Sequence, residues 1–281
     1  MKAKALALVL ASAFIHASWN AILKRCREPE HAVIAGSVVS ASFAVVIGAL
    51  LGFAPGRGYA LGWALVAGLL EAAYFQALGR ALARGTLGTV YTVSRGGALL
   101  VVWPISVLLL GEELTPFRAG GTMLVIAGLA GVGFSSSRAT AGPASSGFAI
   151  AALTGLFIGG YNLAYKRALA GGVSAATSNA VSLGLAAAIN VALVGRARRT
   201  AALAALRGSP LAIGLAGFLG ATGFLLFLAA LAEVGAGLVV TLRNTSILFA
   251  QGMGFFLGER PGRLALAGTA AVTAGAILLA L

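Results

Sequence analysis

The sequence predicts an all-α polytopic membrane protein: ten transmembrane helices arranged as two inverted five-helix repeats around a central cavity. Three observations predict it. The 281 residues are 59% hydrophobic and only 10% charged, against about 25% charged in soluble domains. Apolar windows of about 20 residues, each long enough to cross about 30 Å of hydrocarbon, recur from end to end. A heptad is also written twice, because Trp19-Asn20-x-x-x-Lys24-Arg25 returns as Tyr161-Asn162-x-x-x-Lys166-Arg167.

The first span, 4–23, follows Lys2 and Lys4 and ends in a basic cluster of Lys24, Arg25 and Arg27. Its apolar run is too long for a secretory leader and lacks a small-residue cleavage site, so a retained helix is expected. The second span is 30–54. The third, 60–83, opens beside Tyr59 and Trp63, which suit the headgroup belt, and carries Glu71 in its middle. The fourth, 86–110, carries Arg95 and Pro104; the proline removes a backbone hydrogen bond and is expected to act as a kink or hinge. The fifth, 116–134, contains the small-residue run "GGTMLVIAGLAG", suited to close helix packing in lipid.

A polar stretch, "SSSRATAGPASSG", follows the fifth span. It divides a first repeat at 1–134 from a linker at 135–146 and a second repeat at 147–281. The second repeat holds spans 147–167, 173–194, 211–232, 235–257 and 261–281; the eighth carries "GLAGFLGATG" and the ninth Arg243. Further matches run in the same order in both halves: "ALARGTLG" with "ALAEVGAG", and "LLLGEELTPFRAGGT" with "GFFLGERPGRLALAGT". Five spans is an odd number, so the second repeat enters the membrane from the opposite face. Inverted repeats of this kind underlie alternating access, with the substrate held near the midplane between them.

The formal charge of +13 would point to nucleic acid in a soluble chain. Here most Lys and Arg fall between spans and signal topology instead. Loops after the odd-numbered spans carry twelve, whereas the termini and the other loops carry six. That bias places both termini outside the cytoplasm. Cys26 is the only cysteine, which excludes an internal disulfide.

The two five-span halves, with "GEELT" and "GERPG" closing the fourth helix of each and a small-residue-rich fifth helix following, resemble the EamA-type branch of the drug/metabolite transporter superfamily. The resemblance covers nearly the whole chain. It departs in one place, since Pro104 precedes the first Gly-Glu ending while Gln251 stands at the aligned place of the second. It implies a secondary carrier of the cytoplasmic (inner) membrane, often an exporter, for amino acids and other small amphipathic metabolites. It also implies cytoplasmic termini, against the charge count.

Three charged side chains lie well inside the spans: Glu71, Arg95 and Arg243. Such groups are costly there and mark function. By helix rise Arg95 lies about 13 Å from one face, Arg243 about 12 Å from the other, and Glu71 about 17 Å from either. One carboxylate cannot neutralise two guanidinium groups, and arginine does not shed its proton. An anionic group on the cargo is the natural partner for the remaining charge. The alternative gives both arginines structural roles, bonded to helix carbonyls.

Helical spacing groups the other candidates. His16, Trp19 and Asn20 share a face, as do Glu71 and Tyr74; Tyr91, Ser94 and Arg95 share another, with Trp103 two turns on, and Tyr161 and Tyr165 share a fourth. Together these faces predict an aromatic-walled chamber with polar tips, suited to a ring-bearing substrate. His16 is deep enough to couple proton movement to cargo. His31 lies near a loop and takes no role.

Enzyme chemistry has little to work with, for the spans hold no paired carboxylates, Cys/His pair or metal-ligand cluster, and no phosphate-cradling motif is present. No cofactor, metal or nucleic-acid partner is expected; the partners are a small-molecule substrate and membrane lipid. The first reading is an exporter of aromatic or other apolar amino acids. The alternatives are a lipophilic-cation or drug exporter using Glu71, and an organic-acid or organophosphate carrier using the arginines.

Overall fold

A computed structural model describes residues 3–110, 115–139, 143–233, 239 and 242–279. Among them are eleven helices: α1 (Ala3–Lys24), α2 (Pro29–Leu51), α3 (Gly58–Arg84), α4 (Leu87–Leu110), α5 (Pro116–Ala139), α6 (Pro143–Ala170), α7 (Ala175–Leu193), α8 (Arg196–Gly208), α9 (Pro210–Glu233), α10 (Ser246–Phe256) and α11 (Arg263–Leu279). Six of them, α1, α2, α3, α6, α7 and α9, are long and apolar enough to cross a membrane. The protein is an all-helical, multi-pass membrane protein.

Two departures from the expected spans have physical causes. Residues 196–208 form a helix where a charged loop was expected. Arg196, Arg199 and Arg207 are exposed on it while Ala202 is buried, the two-faced pattern of a helix lying in the membrane interface. Arg199 also caps the end of α7, donating from Nε to the Val194 carbonyl at 2.9 Å and from Nη2 to the Ala192 carbonyl at 2.7 Å. Second, the expected span 235–257 is interrupted: Leu242 and Arg243 are helical, Asn244 and Thr245 form a turn, and α10 starts at Ser246. The bonds Thr245 N–H to Leu242 carbonyl (3.1 Å) and Ile247 N–H to Asn244 carbonyl (2.9 Å) skip three residues rather than four, a tightening typical of functional hinges. The fourth span stands as expected, since α4 runs from Leu87 through Pro104 to Leu110.

Helices from the two halves pack on one another: α5 on α11, α3 on α6, α1 on α9, α4 on α6, α2 on α7, and α1 on α10. Small residues set the closest approaches. A Cβ built on Gly128 of α5 would lie 2.6 Å from the Gly268 carbonyl oxygen of α11, and one on Gly275 would lie 2.6 Å from the Gly121 carbonyl oxygen. Without lipid-excluding hydrophobic force, such backbone contact is what holds helices together in a bilayer.

One end of the bundle is tied by charge. The Lys24 ammonium donates to the Leu82 carbonyl at 2.5 Å and the Gly85 carbonyl at 2.6 Å, closing the carbonyl end of α3. Glu259 accepts from the Leu87 and Gly88 N–H groups at 2.7 and 3.4 Å, closing the amide end of α4. A cation at a helix C-terminus and an anion at an N-terminus both oppose the helix dipole. At the same end Glu30 pairs with Arg80 at 3.5 Å and with Arg198. The Gly-Glu-Glu of the first half lies outside the described residues. Glu259→Gln should lower thermal stability by about 1–2 kcal/mol, the cost of losing a charge-assisted bond; an unchanged unfolding temperature in detergent would contradict the capping role.

Candidate functional site

α1 and α4 meet through a polar knot. Positions 16, 19 and 20 fall on one face of α1, where Trp19 Nε1 donates to His16 Nδ1 at 3.2 Å. Asn20 Nδ2 donates to the His16 carbonyl at 2.9 Å and to the Tyr91 hydroxyl at 2.7 Å, and that hydroxyl donates to the same carbonyl at 2.7 Å. Ser94 bonds only its own helix, at the Tyr91 carbonyl. A second knot joins α3, α6 and α7: the buried Glu71 carboxylate lies beside the hydroxyls of Tyr165 and Ser182, which bond each other.

Aromatic rings link the two knots. Edge or tilted contacts run from His16 to Trp19 (5.2 Å), Trp19 to Phe75 (6.5 Å), Phe75 to Tyr74 (5.1 Å), Tyr74 to Tyr161 (5.6 Å) and Tyr161 to Phe224 (5.8 Å). Between them lies a cavity of about 20 Å³ lined by His16, Trp19, Glu71, Tyr74, Phe75 and Phe224 among others. It has room for about one water.

Arg243 lies against this wall. Its guanidinium carbon sits 3.8 Å from the Phe227 ring centroid and 4.8 Å from that of Phe224. The side chain is 1% exposed, and Nε, Nη1 and Nη2 all lack a hydrogen-bond acceptor. Arg95 is also buried, and its Nη2 likewise has no hydrogen-bond partner. Among the described residues neither arginine forms an ion pair; the carboxylates so engaged are Glu28, Glu30 and Glu233. Glu71 likewise forms no ion pair among the described residues, and its Oε2 has no hydrogen-bond partner.

The structure brings His16, Trp19, Asn20, Glu71, Tyr74, Tyr91, Tyr161 and Tyr165 together around one buried region. Trp103 lies elsewhere, packed on Leu99, Val125 and Ala276 where α4 meets α5 and α11. Five residues escaped the sequence reading: Ser182, Phe224, Phe227, Asn244 and Ser246. The phenylalanines gave no signal inside an apolar span. Asn244 and Ser246 did, since "RNTS" sets three cap-forming residues side by side within one. Among the described residues no group of His, Cys, Asp and Glu is placed to hold a metal ion.

No curated protein matches the sequence. A solved structure described as "Crystal structure of protein" superposes with a TM-score of 0.61 at 16% identity, over 99% of this chain and 98% of its own. At that identity the likeness concerns the fold alone. Residues 145–281 match the EamA-like transporter family. The second half of the chain thus carries an EamA-like transporter domain, which implies movement of small molecules across a membrane rather than enzymatic turnover.

Proposed function

We propose that the chain is a secondary carrier that moves small amphipathic metabolites bearing a carboxylate, aromatic amino acids foremost, across the cytoplasmic membrane by alternating access. The observation that carries this reading is Arg243, buried at 1% exposure with no acceptor on any of its three nitrogens. A guanidinium in a dry site without a counter-ion costs about 3–5 kcal/mol. The two phenyl faces repay about 2 kcal/mol of that. A carboxylate supplies the rest.

The ten-helix, inverted-repeat arrangement belongs to the same proposal, with repeats at 1–134 and 147–281. It is supported by contacts that exchange in pairs when the halves are swapped. Packing of α3 on α6 is matched by α1 on α9, and packing of α4 on α6 by α1 on α10. Aligning "GGT" with "AGT" makes Gly121 the counterpart of Gly268 and Gly128 that of Gly275. The two close approaches on α5 and α11 are then mates across one two-fold axis. Such an axis is the geometry from which alternating access follows.

Counterflow in liposomes of the purified protein, screened across amino acids, organic acids, phosphates and lipophilic cations, tests the reading. Aromatic amino acids should exchange, and exchange of lipophilic cations alone would refute it. The unpartnered Oε2 of Glu71 favours one second reading, a cation exporter. Glu71→Gln separates the two. A cation exporter loses flux by at least about 100-fold, the worth of a buried charged contact, whereas a carboxylate carrier keeps its dependence on Arg243.

A further inference from the structure

We propose that Arg243, not Arg95, receives the anionic end of the cargo, in a pocket completed by Asn244 and Ser246 at the helix interruption before α10. The proposal rests on the carrier reading and adds to it which arginine acts, and with which helpers. Asn244 is 3% and Ser246 0% exposed, and Asn244 Nδ2 and Ser246 Oγ have no hydrogen-bond partner. With the three Arg243 nitrogens, five buried polar atoms within four consecutive residues are unmet. Buried polar groups are ordinarily paired, so a cluster of this kind marks a missing ligand.

All five can donate, which fixes the sign of that ligand. A carboxylate has two oxygens and about four acceptor positions. A guanidinium fork fills two of these in parallel, leaving the outer lone pairs for a hydroxyl and an amide. Arg243 and Ser246 are three residues apart and share a face of the helical path. The amide end of α10 adds a positive dipole and is not sealed by a side chain: Thr245, at its cap position, turns its hydroxyl back to the Leu242 carbonyl at 2.7 Å. Half-helix starts inside the bilayer serve as seats for carboxylates in other carrier architectures.

The first half has an arginine but lacks the rest of this seat. Arg95 is followed by Gly96, Gly97 and Ala98, which carry no side-chain donor, and α4 runs on without interruption. A Cβ on Gly96 would already lie 3.0 Å from Leu129 and Val272 side chains, so the first half uses this stretch for packing. Arg95 then contributes to the field of the chamber while Arg243 makes the contact.

Equilibrium binding of radiolabelled phenylalanine to the purified full-length protein tests this, with phenylacetate and phenylethylamine as competitors. Ser246→Ala should weaken binding about 10-fold and Asn244→Gly with Ser246→Ala about 10- to 100-fold, for lost bonds to a charged group. Arg95→Gln should stay within about 5-fold. Thermal unfolding of each variant establishes that it is folded. Retained affinity in the Asn244→Gly, Ser246→Ala double variant, or equal losses in Arg95→Gln and Arg243→Gln, overturns this inference and leaves the carrier reading standing. Wild-type protein that binds neither phenylalanine nor phenylacetate overturns both.

Discussion

Arg243→Met should abolish carboxylate transport, by at least about 100-fold, and at the same time raise the thermal stability of the empty protein. The two effects share one cause. The guanidinium is buried at 1% exposure against Phe224 and Phe227 with no acceptor. Replacing an unmet buried cation by an apolar side chain of similar length removes its desolvation penalty. A gain of about 2 kcal/mol corresponds to about 4–8 °C in Tm for a chain of this size. The lost bidentate contact costs about 3 kcal/mol in the bound state, hence the fall in flux. Stability and activity moving in opposite directions is the signature of a residue kept for its ligand. A purely structural Arg243 predicts a loss of stability instead, so thermal unfolding alone separates the two roles.

Gly128→Val and Gly275→Val should each destabilise the bundle by about 3 kcal/mol and by similar amounts. The Cβ of either variant would fall 2.6 Å from a carbonyl oxygen of the facing helix, on Gly268 and Gly121 respectively. Backbone cannot swing aside as a side-chain tip does, so α5 and α11 must separate, and overpacking of this kind costs about 1–3 kcal/mol or more. Equality between the two variants is the informative part. If the halves are related by a two-fold axis, both positions meet the same surroundings. A severe effect at one and none at the other, measured by thermal unfolding, would contradict that relation.

Much of the architecture is legible before any coordinates. Hydropathy identifies the long helices because the bilayer demands continuous apolar runs with internally satisfied backbones. The buried charges announce themselves for the same reason, and Glu71, Arg95 and Arg243 are all at most 3% exposed. Side-chain partners are another matter. Pairing of Glu71 with an arginine is permitted by depth, yet among the described residues the carboxylate forms no ion pair and lies beside Tyr165 and Ser182 instead. Depth along a span says nothing of which way a face turns.

The repeated Asn-x-x-x-Lys-Arg is explained in part. Asn20 ties α1 to Tyr91, and Lys24 closes the end of α3. A break at 244–245 was hidden by the apolar average of its span, since the polar run 243–246 is flanked on both sides by strongly apolar residues. The amphipathic α8 was hidden by its arginines, which counted as loop charge although Ala and Leu recur among them at helical spacing. Phe224 and Phe227, three residues apart, read as lipid-facing or core alike.

The most direct test of the central claim needs no variant. Counterflow of labelled phenylalanine by the wild-type protein in liposomes is competed in turn with phenylacetate, which keeps the carboxylate, and phenylethylamine, which keeps only the amine. An unmet buried Arg243 predicts strong competition by the acid and little by the amine. Competition by the amine alone would show the cargo's cation to be what the protein grips, and would contradict the account.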